Sequence, residues 1–178
     1  MKKVYYMSYI IKLVLLGEAN VGKTSLVYRF IEDKFRENYK STLGVNLLKK
    51  DIEHNKYGSV SAQIWDLGGQ ESFKSLRRLY LEGANGALLV YDMTNKKTYE
   101  KLDEWVQSFR EARNDAPIIL IGNKSDLESQ IKITESEARN YANSNNMGLI
   151  ITSAKTGRNV EEAFIELTTI IIEQISDT

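Results

Sequence analysis

Four short runs carry most of the residues capable of chemistry, and each follows an apolar stretch. The first is Gly17-Glu18-Ala19-Asn20-Val21-Gly22-Lys23-Thr24, a complete G-x-x-x-x-G-K-T with Ser25 behind it. Its glycines let the backbone wrap tightly, so that successive N–H groups point inward at a diphosphate. Lys23 then reaches the β- and γ-phosphates, and the Thr24 hydroxyl ligates Mg²⁺. A helix opening at Lys23 adds its positive dipole end. The competing reading is a strand-to-helix turn with an incidental lysine. The second run, Ile64-Trp65-Asp66-Leu67-Gly68-Gly69-Gln70, ends a strand with an aspartate placed to hold Mg²⁺ through water. Gly69 allows a backbone N–H to approach a γ-phosphate closely. Gln70 has a donor and an acceptor with which to orient a water. Alone, D-x-x-G marks an ordinary turn; beside the first run it reads as the other half of one site.

Asn123-Lys124-Ser125-Asp126 follows the apolar Ile118–Gly122. Guanine presents N1–H and a 2-amino group side by side, and one carboxylate can accept both hydrogen bonds. Adenine offers neither, so Asp126 favours guanine. The Lys124 stem can lie along the base, and Asn123 can tie this loop to the first run. In isolation the run reads equally well as a helix N-cap by Ser125 or Asp126. Thr152-Ser153-Ala154-Lys155 closes the last strand. A small residue there lets a backbone N–H reach guanine O6, with Lys155 over the base; alone, Lys155 is a solvated loop lysine. Finally, the polar segment 35–44 is long for a connection and carries Thr42 just before a strand. A threonine that ligates Mg²⁺ and meets the γ-phosphate would order this loop only with triphosphate bound.

These runs need a scaffold that brings successive strand ends together. Apolar runs alternate with longer amphipathic stretches, the pattern of a parallel sheet covered by helices on both faces. Strands are expected at Tyr9–Leu16, Val45–Glu53, Ser59–Asp66, Ala87–Asp92, Ile118–Gly122 and Gly148–Ser153. Helices are expected at Lys23–Glu32, Glu71–Glu82, Thr98–Arg113, Glu135–Asn145 and Val160–Ile175. Asn55-Lys56-Tyr57-Gly58 reads as a hairpin turn, so the second and third strands pair antiparallel and the rest parallel. An open sheet of this kind binds ligands beyond the carboxyl ends of its strands.

At 178 residues the chain should form one domain. Its 24 Lys+Arg balance 24 Asp+Glu, which argues against bulk nucleic acid as a partner. The absence of cysteine excludes a disulfide framework, a thiolate metal site and a catalytic thiol. No signal peptide, spanning segment, myristoylation site or prenylation cysteine is read, so a cytoplasmic protein without its own lipid anchor is expected. Several residues read as structural: the single histidine, His54, as exposed, and Trp105 as core, on a helix with Leu102, Val106 and Phe109. Arg77-Arg78 read as a solvated helix face, and the Tyr5–Tyr6–Tyr9 cluster as a disordered or sheet-covering N-terminus.

Together these motifs resemble the small GTPases of the Ras superfamily over about residues 9–175, and TLGVN, QIWDLGGQE, SFKSL, YLEGAN and LVYDMT are most similar to the Rab branch. The resemblance implies a P-loop G domain over residues 9–178 behind an extension of residues 1–8, with a six-stranded, mostly parallel sheet and one antiparallel edge strand. It implies a Mg²⁺-dependent switch that hydrolyses GTP slowly to GDP, in membrane traffic or cell-organisation signalling. Catalysis would fall to Gln70, Lys23 and Thr42, and Mg²⁺ to Thr24, Thr42 and Asp66. Nucleotide would be held by Gly17, Ala19, Asn20, Val21, Gly22, Lys23, Thr24, Ser25, Phe35, Tyr39, Thr42, Gly69, Asn123, Lys124, Asp126, Ser153, Ala154 and Lys155, with Phe35 edge-on to guanine. Segment 35–44 would be switch I; Asp66, Gly69 and Gln70 would be switch II residues, followed by a switch II helix that carries Arg77-Arg78. A monomer is implied, whose exchange factor, activating protein and effectors meet the two switches.

The effector triad maps to Leu47, Trp65 and Tyr80, the first of which departs from the usual phenylalanine. Gly68 stands where Ras and Rab proteins usually carry alanine, and Gly68-Gly69 is similar to the Arf branch or the septation GTPases. Ala19 stands at a P-loop position best known for glycine. Arg36 lies six residues before Thr42, which argues against a built-in arginine finger. Two other readings compete: a nucleotide-dependent binding module with negligible hydrolysis, and an ATP-using P-loop kinase. The kinase is disfavoured by Asp126 and by the lack of an arginine-rich lid.

Overall fold

The computed structural model describes residues 8–177, so Tyr5 and Tyr6 lie outside the described residues. Six strands, β1 (Tyr9–Leu16), β2 (Val45–His54), β3 (Gly58–Leu67), β4 (Gly86–Asp92), β5 (Ile118–Asn123) and β6 (Gly148–Ile151), form one sheet in the order β2-β3-β1-β4-β5-β6. Only β2 and β3 pair antiparallel. The helices are α1 (Lys23–Glu32), α2 (Arg77–Leu81), α3 (Lys96–Glu100), α4 (Leu102–Ala112), α5 (Glu135–Ser144) and α6 (Val160–Ser176).

The central strands are apolar on both sides because both sides are covered. Along β1, Leu13 and Leu15 pack into a core shared with α1 and α6. The intervening Val14 and Leu16 enter a second core with α2, α4 and α5. The period-2 alternation of side chains thus divides one continuous apolar strand between two layers. Trp105 is fully buried in the second core beside Leu102 and Phe109, as expected.

Three departures from the expected bounds have a physical reason. The helix expected over Glu71–Glu82 is a 3₁₀ segment, Glu71–Leu76, followed by the five residues of α2. The 3₁₀ segment buries no side chain, and without an apolar face to dock, a short helix has little to stabilise it. The helix expected over Thr98–Arg113 is interrupted at Lys101. The buried Thr98 hydroxyl accepts from the Asp92 N–H at 3.0 Å and donates to the Asn95 carbonyl at 2.8 Å, which folds α3 back against the end of β4. Strand β6 ends at Ile151 rather than Ser153, because the Thr152 carbonyl accepts from the Ser125 N–H at 3.1 Å in a loop contact.

Two side chains differ from expectation in the same way. His54 is half-buried: its Nε2 lies 2.9 Å from Thr169 Oγ1, while Nδ1 accepts from the Lys56 and Tyr57 backbone N–H groups. Arg78 is exposed as expected, but Arg77 is buried against Trp105.

Candidate functional site

The carboxyl ends of β1, β3 and β5 open into a cleft of about 390 Å³, within the size range of small-ligand sites. All four sequence runs and the segment 35–42 contribute to its wall. Among the expected site residues, Gly17, Val21, Asp66 and Ser153 stand one layer behind the lining and hold it in place. Gly17 O accepts from Lys23, Val21 O accepts from Asn123, Asp66 accepts from Thr24, and Ser153 donates to Asp126.

One end of the cleft, where phosphate was expected, is built at the start of α1. Its cap, Gly22, is left-handed with φ 99°, and no side chain caps the helix. The first N–H groups of a helix have no intrahelical partner, so this terminus is open to an anion. Lys23 is only 6% exposed, and its ammonium donates to Gly17 O at 2.6 Å and Glu18 O at 2.7 Å. Burial lowers its pKa to about 8, against the raising effect of Asp66 and Glu18. A phosphate beside it would favour the charged form.

Beside Lys23, Thr24 Oγ1 donates to Asp66 Oδ2 at 2.5 Å and lies 2.8 Å from Thr42 Oγ1. Asp66 is fully buried, and its Oδ1 has no hydrogen-bond partner. Burial raises its pKa, opposed by the Thr24 bond and the Lys23 charge. A buried carboxylate oxygen left unpaired needs a reason. Two hydroxyls and a carboxylate form an all-oxygen donor set suited to Mg²⁺, and a divalent cation would give Asp66 Oδ1 the partner it lacks. The residues therefore fit the metal.

At the other end, Asn123 joins three loops: it donates to Val21 O at 2.9 Å, and its Oδ1 accepts from Thr152 Oγ1 at 3.0 Å and the Ala154 N–H at 3.2 Å. Ser153 Oγ donates to Asp126 Oδ1 at 2.7 Å, fixing the carboxylate at the cleft wall. Lys124 reaches Asn20 O and Asp92 Oδ2, both at 2.7 Å. Three partners escaped the sequence reading. Asp92 anchors Lys124; Arg29 donates to the carbonyls of Ala154 and Lys155 at 2.9 and 2.6 Å; and Tyr28 stacks on Tyr39 at 5.2 Å. Only Asp92 left a signal, as an acid at the end of a strand.

Segment 35–44 and the second run touch through glycine. The Gly68 N–H donates to Gly44 O at 2.7 Å, and a Cβ at Gly68 would lie 2.6 Å from Thr42 O. A Cβ at Gly69 would overlap the Ala19 amide nitrogen and come within 2.7 Å of Gly17 O. Gly69→Ala should therefore push Gln70 and the second run off the P-loop, since neither backbone can yield as a side-chain tip would. Faster amide exchange at residues 67–72 with a GTP analogue bound is the expected result, and unchanged exchange there would contradict this close approach.

Outside the cleft, Leu47 is 58% exposed and pairs in register with Trp65. Trp65 lies under the Lys12 ammonium, 3.6 Å from the ring centroid, and 6.4 Å from Tyr80. Leu43, Leu76 and Leu79 are exposed as well.

The Ras family model matches residues 12–173. Ras-related protein Rab-4A of Homo sapiens is 43% identical over 169 residues, 94% of this chain and 77% of that protein. Rab-4A of Danio rerio is 42% identical over 169 residues, 94% of this chain and 78% of its own length. An uncapped helix start beside buried Lys23, an oxygen donor set and the Asp126 carboxylate in one cleft agree with that likeness: the chain belongs to the Ras family of small GTPases and is Rab-like within it.

Proposed function

We propose that this protein is a Mg²⁺·GTP-dependent switch of membrane traffic in which Lys23, Thr24, Thr42, Asp66, Gln70 and Asp126 divide the work. The observation that carries this reading is the set of four strand-end runs brought around one cleft, with buried Lys23 at one end and Asp126 at the other. Lys23 and the open α1 terminus hold the phosphates. Thr24 and Thr42, with Asp66 behind them, would hold Mg²⁺, which when bound neutralises charge developing on the phosphate oxygens. Gln70 orients the attacking water, and closure of residues 35–44 keeps bulk water from the γ-phosphate. After phosphate is lost, Thr42 has less to hold it and switch I relaxes. Exchange factor, activating protein and effectors would act at the switches, with Leu47, Trp65 and Tyr80 as the effector contact. The protein works in the cytoplasm, reaching a membrane through a tail or a partner; no helix among the described residues is long and apolar enough to cross one.

The nucleotide content of the purified protein, with and without Mg²⁺, tests this reading; bound adenine nucleotide would overturn it. Thr24→Asn should weaken Mg²⁺·GTP more than GDP, because the hydroxyl is lost where the two outer phosphates share the ion. Titration with both nucleotides would show it, and equal losses would remove Thr24 from the metal. Thr42→Ala should leave GDP affinity nearly intact. In the wild type, hydrogen exchange at residues 36–44 should slow on replacing GDP by a GTP analogue, and Thr42→Ala should abolish the difference. Identical exchange in the two wild-type complexes would end the ordering account.

A further inference from the structure

Arg77 is a buried charge that the hydrolytic scheme above leaves unused. Its residue is 4% exposed, and none of its three guanidinium nitrogens has a hydrogen-bond partner. Instead the guanidinium lies over the Trp105 ring, Cζ 3.6 Å from the centroid, with Glu104 Oε1 3.6 Å from one nitrogen and Glu71 Oε2 4.0 Å from another. A buried cation is costly unless an anion or an electron-rich ring faces it, and here both do. The carboxylate is dependable: Lys74 at 2.6 Å and Lys101 at 3.1 Å keep Glu104 ionised, with a pKa lowered to about 2.

The Trp105 ring also faces the other way. Its Nε1–H donates to the Glu18 carboxylate in the P-loop at 2.8 Å, and the Glu18 carbonyl accepts from Lys23. A continuous set of contacts therefore runs from α2 through Trp105 on α4 to the loop around the phosphates. Besides the Lys74–Glu104 ion pair and buried Leu81, little fixes this part of switch II. Residues 71–76 bury nothing, and α2 buries only Arg77 and Leu81.

We propose that Arg77 is a positioning residue for GTP hydrolysis: stacked on Trp105, which Glu18 ties to the P-loop, it clamps switch II to α4 and so holds Gln70 at the phosphate end of the cleft. This rests on the reading of Gln70 as the residue that orients water. The flat, delocalised guanidinium suits the ring face in a way an ammonium does not. The nucleotide grip, by contrast, belongs to Lys23, Thr24 and Asp126, so loss of the clamp separates rate from affinity.

Single-turnover hydrolysis by the full chain loaded with Mg²⁺·GTP provides the test. Arg77→Ala should slow the chemical step by tens of fold, toward the roughly 10²-fold cost of an ångström-scale misplacement. GTP and GDP dissociation should stay within about 2-fold of wild type, and Arg77→Lys should recover only part of the rate. Trp105→Phe keeps a ring for stacking but loses the link to Glu18. It should slow the step less, and combined with Arg77→Ala it should add nothing, as expected of one connected unit. With Trp65 replaced by phenylalanine, Trp105 is the only one of the chain's two tryptophans left. Its emission should then differ between GDP and a GTP analogue with Arg77 present, and not in Arg77→Ala.

A wild-type rate in Arg77→Ala overturns the proposal, as does a loss of rate matched by an equal loss of nucleotide affinity. If Arg77→Ala fails to fold, Arg77→Lys and Trp105→Phe decide: wild-type rates in both reject the clamp. Gln70→Leu separates the two layers of the reading. A slowed Gln70→Leu beside an unaffected Arg77→Ala rejects the clamp alone, whereas an unaffected Gln70→Leu rejects the role of Gln70 and the clamp's purpose with it.

Discussion

Asp126→Asn should lose between about 10² and 10⁴ in affinity for GTP and gain affinity for xanthosine triphosphate. The Asp126 carboxylate lines the cleft, and its Oδ1 is already fixed by the Ser153 hydroxyl at 2.7 Å. A carboxylate held this way presents only acceptors to the base, matching the adjacent N1–H and 2-amino donors of guanine. An asparagine in the same place turns one acceptor into a donor, so a donor faces the guanine amino group. Xanthine carries an oxygen at that edge and accepts what the asparagine offers. Affinity for adenine nucleotides should stay poor in both proteins, since adenine offers neither donor. Competition of GTP and xanthosine triphosphate against a labelled nucleotide measures the exchange; equal GTP affinity in wild type and variant would sink the assignment. Ser153→Ala should weaken GTP more mildly, because it frees the carboxylate to rotate without removing an acceptor.

The strand-end runs were legible in the sequence because each is local: the residues that act together at Gly17–Thr24 or Asn123–Asp126 are neighbours in the chain, and the chemistry restricts their types. The sheet was legible for a related reason, since both its faces are covered and its central strands read as unbroken apolar runs. Contacts between such runs were not. Nothing in the composition of α1 indicates that Arg29 reaches the Ala154 and Lys155 carbonyls. Arg77 read as solvated because sequence periodicity assigns a charged residue to the outer face. The ring and carboxylate that make its burial tolerable lie on another helix. The switch II helix was misjudged by the same limit. Residues 71–76 have adequate helix formers, yet no apolar face to dock them, and docking rather than propensity decides short helices.

The pure protein should hydrolyse GTP slowly, and an arginine supplied by a partner should accelerate it by roughly 10³–10⁵. Among the described residues lining the cleft there is no arginine. Arg36 is exposed and outside that lining, Arg29 is engaged by the Ala154 and Lys155 carbonyls, and Arg77 lies on Trp105. On the proposed reading, Lys23, the open α1 terminus and a bound Mg²⁺ would meet the charge that develops on the transferring phosphoryl group, and a planar bidentate cation is what remains to be added. Ala19 works in the same direction. It lines the cleft with Gln70, and its amide nitrogen is the atom that a Cβ at Gly69 would strike. A methyl group in that wall would narrow the space in which Gln70 and the water must align, where small displacements have large kinetic effects. Gln70→Leu should reduce the already low rate, Ala19→Gly should leave it equal or higher, and Arg36→Ala should scarcely change it. Single-turnover measurements on the three variants separate these contributions, because each leaves Lys23, Thr24 and Asp126 in place. Fast turnover by the wild-type protein that collapses in Arg36→Ala would reverse the assignment: switch I would then swing its own guanidinium onto the phosphates, and the partner would have nothing left to supply.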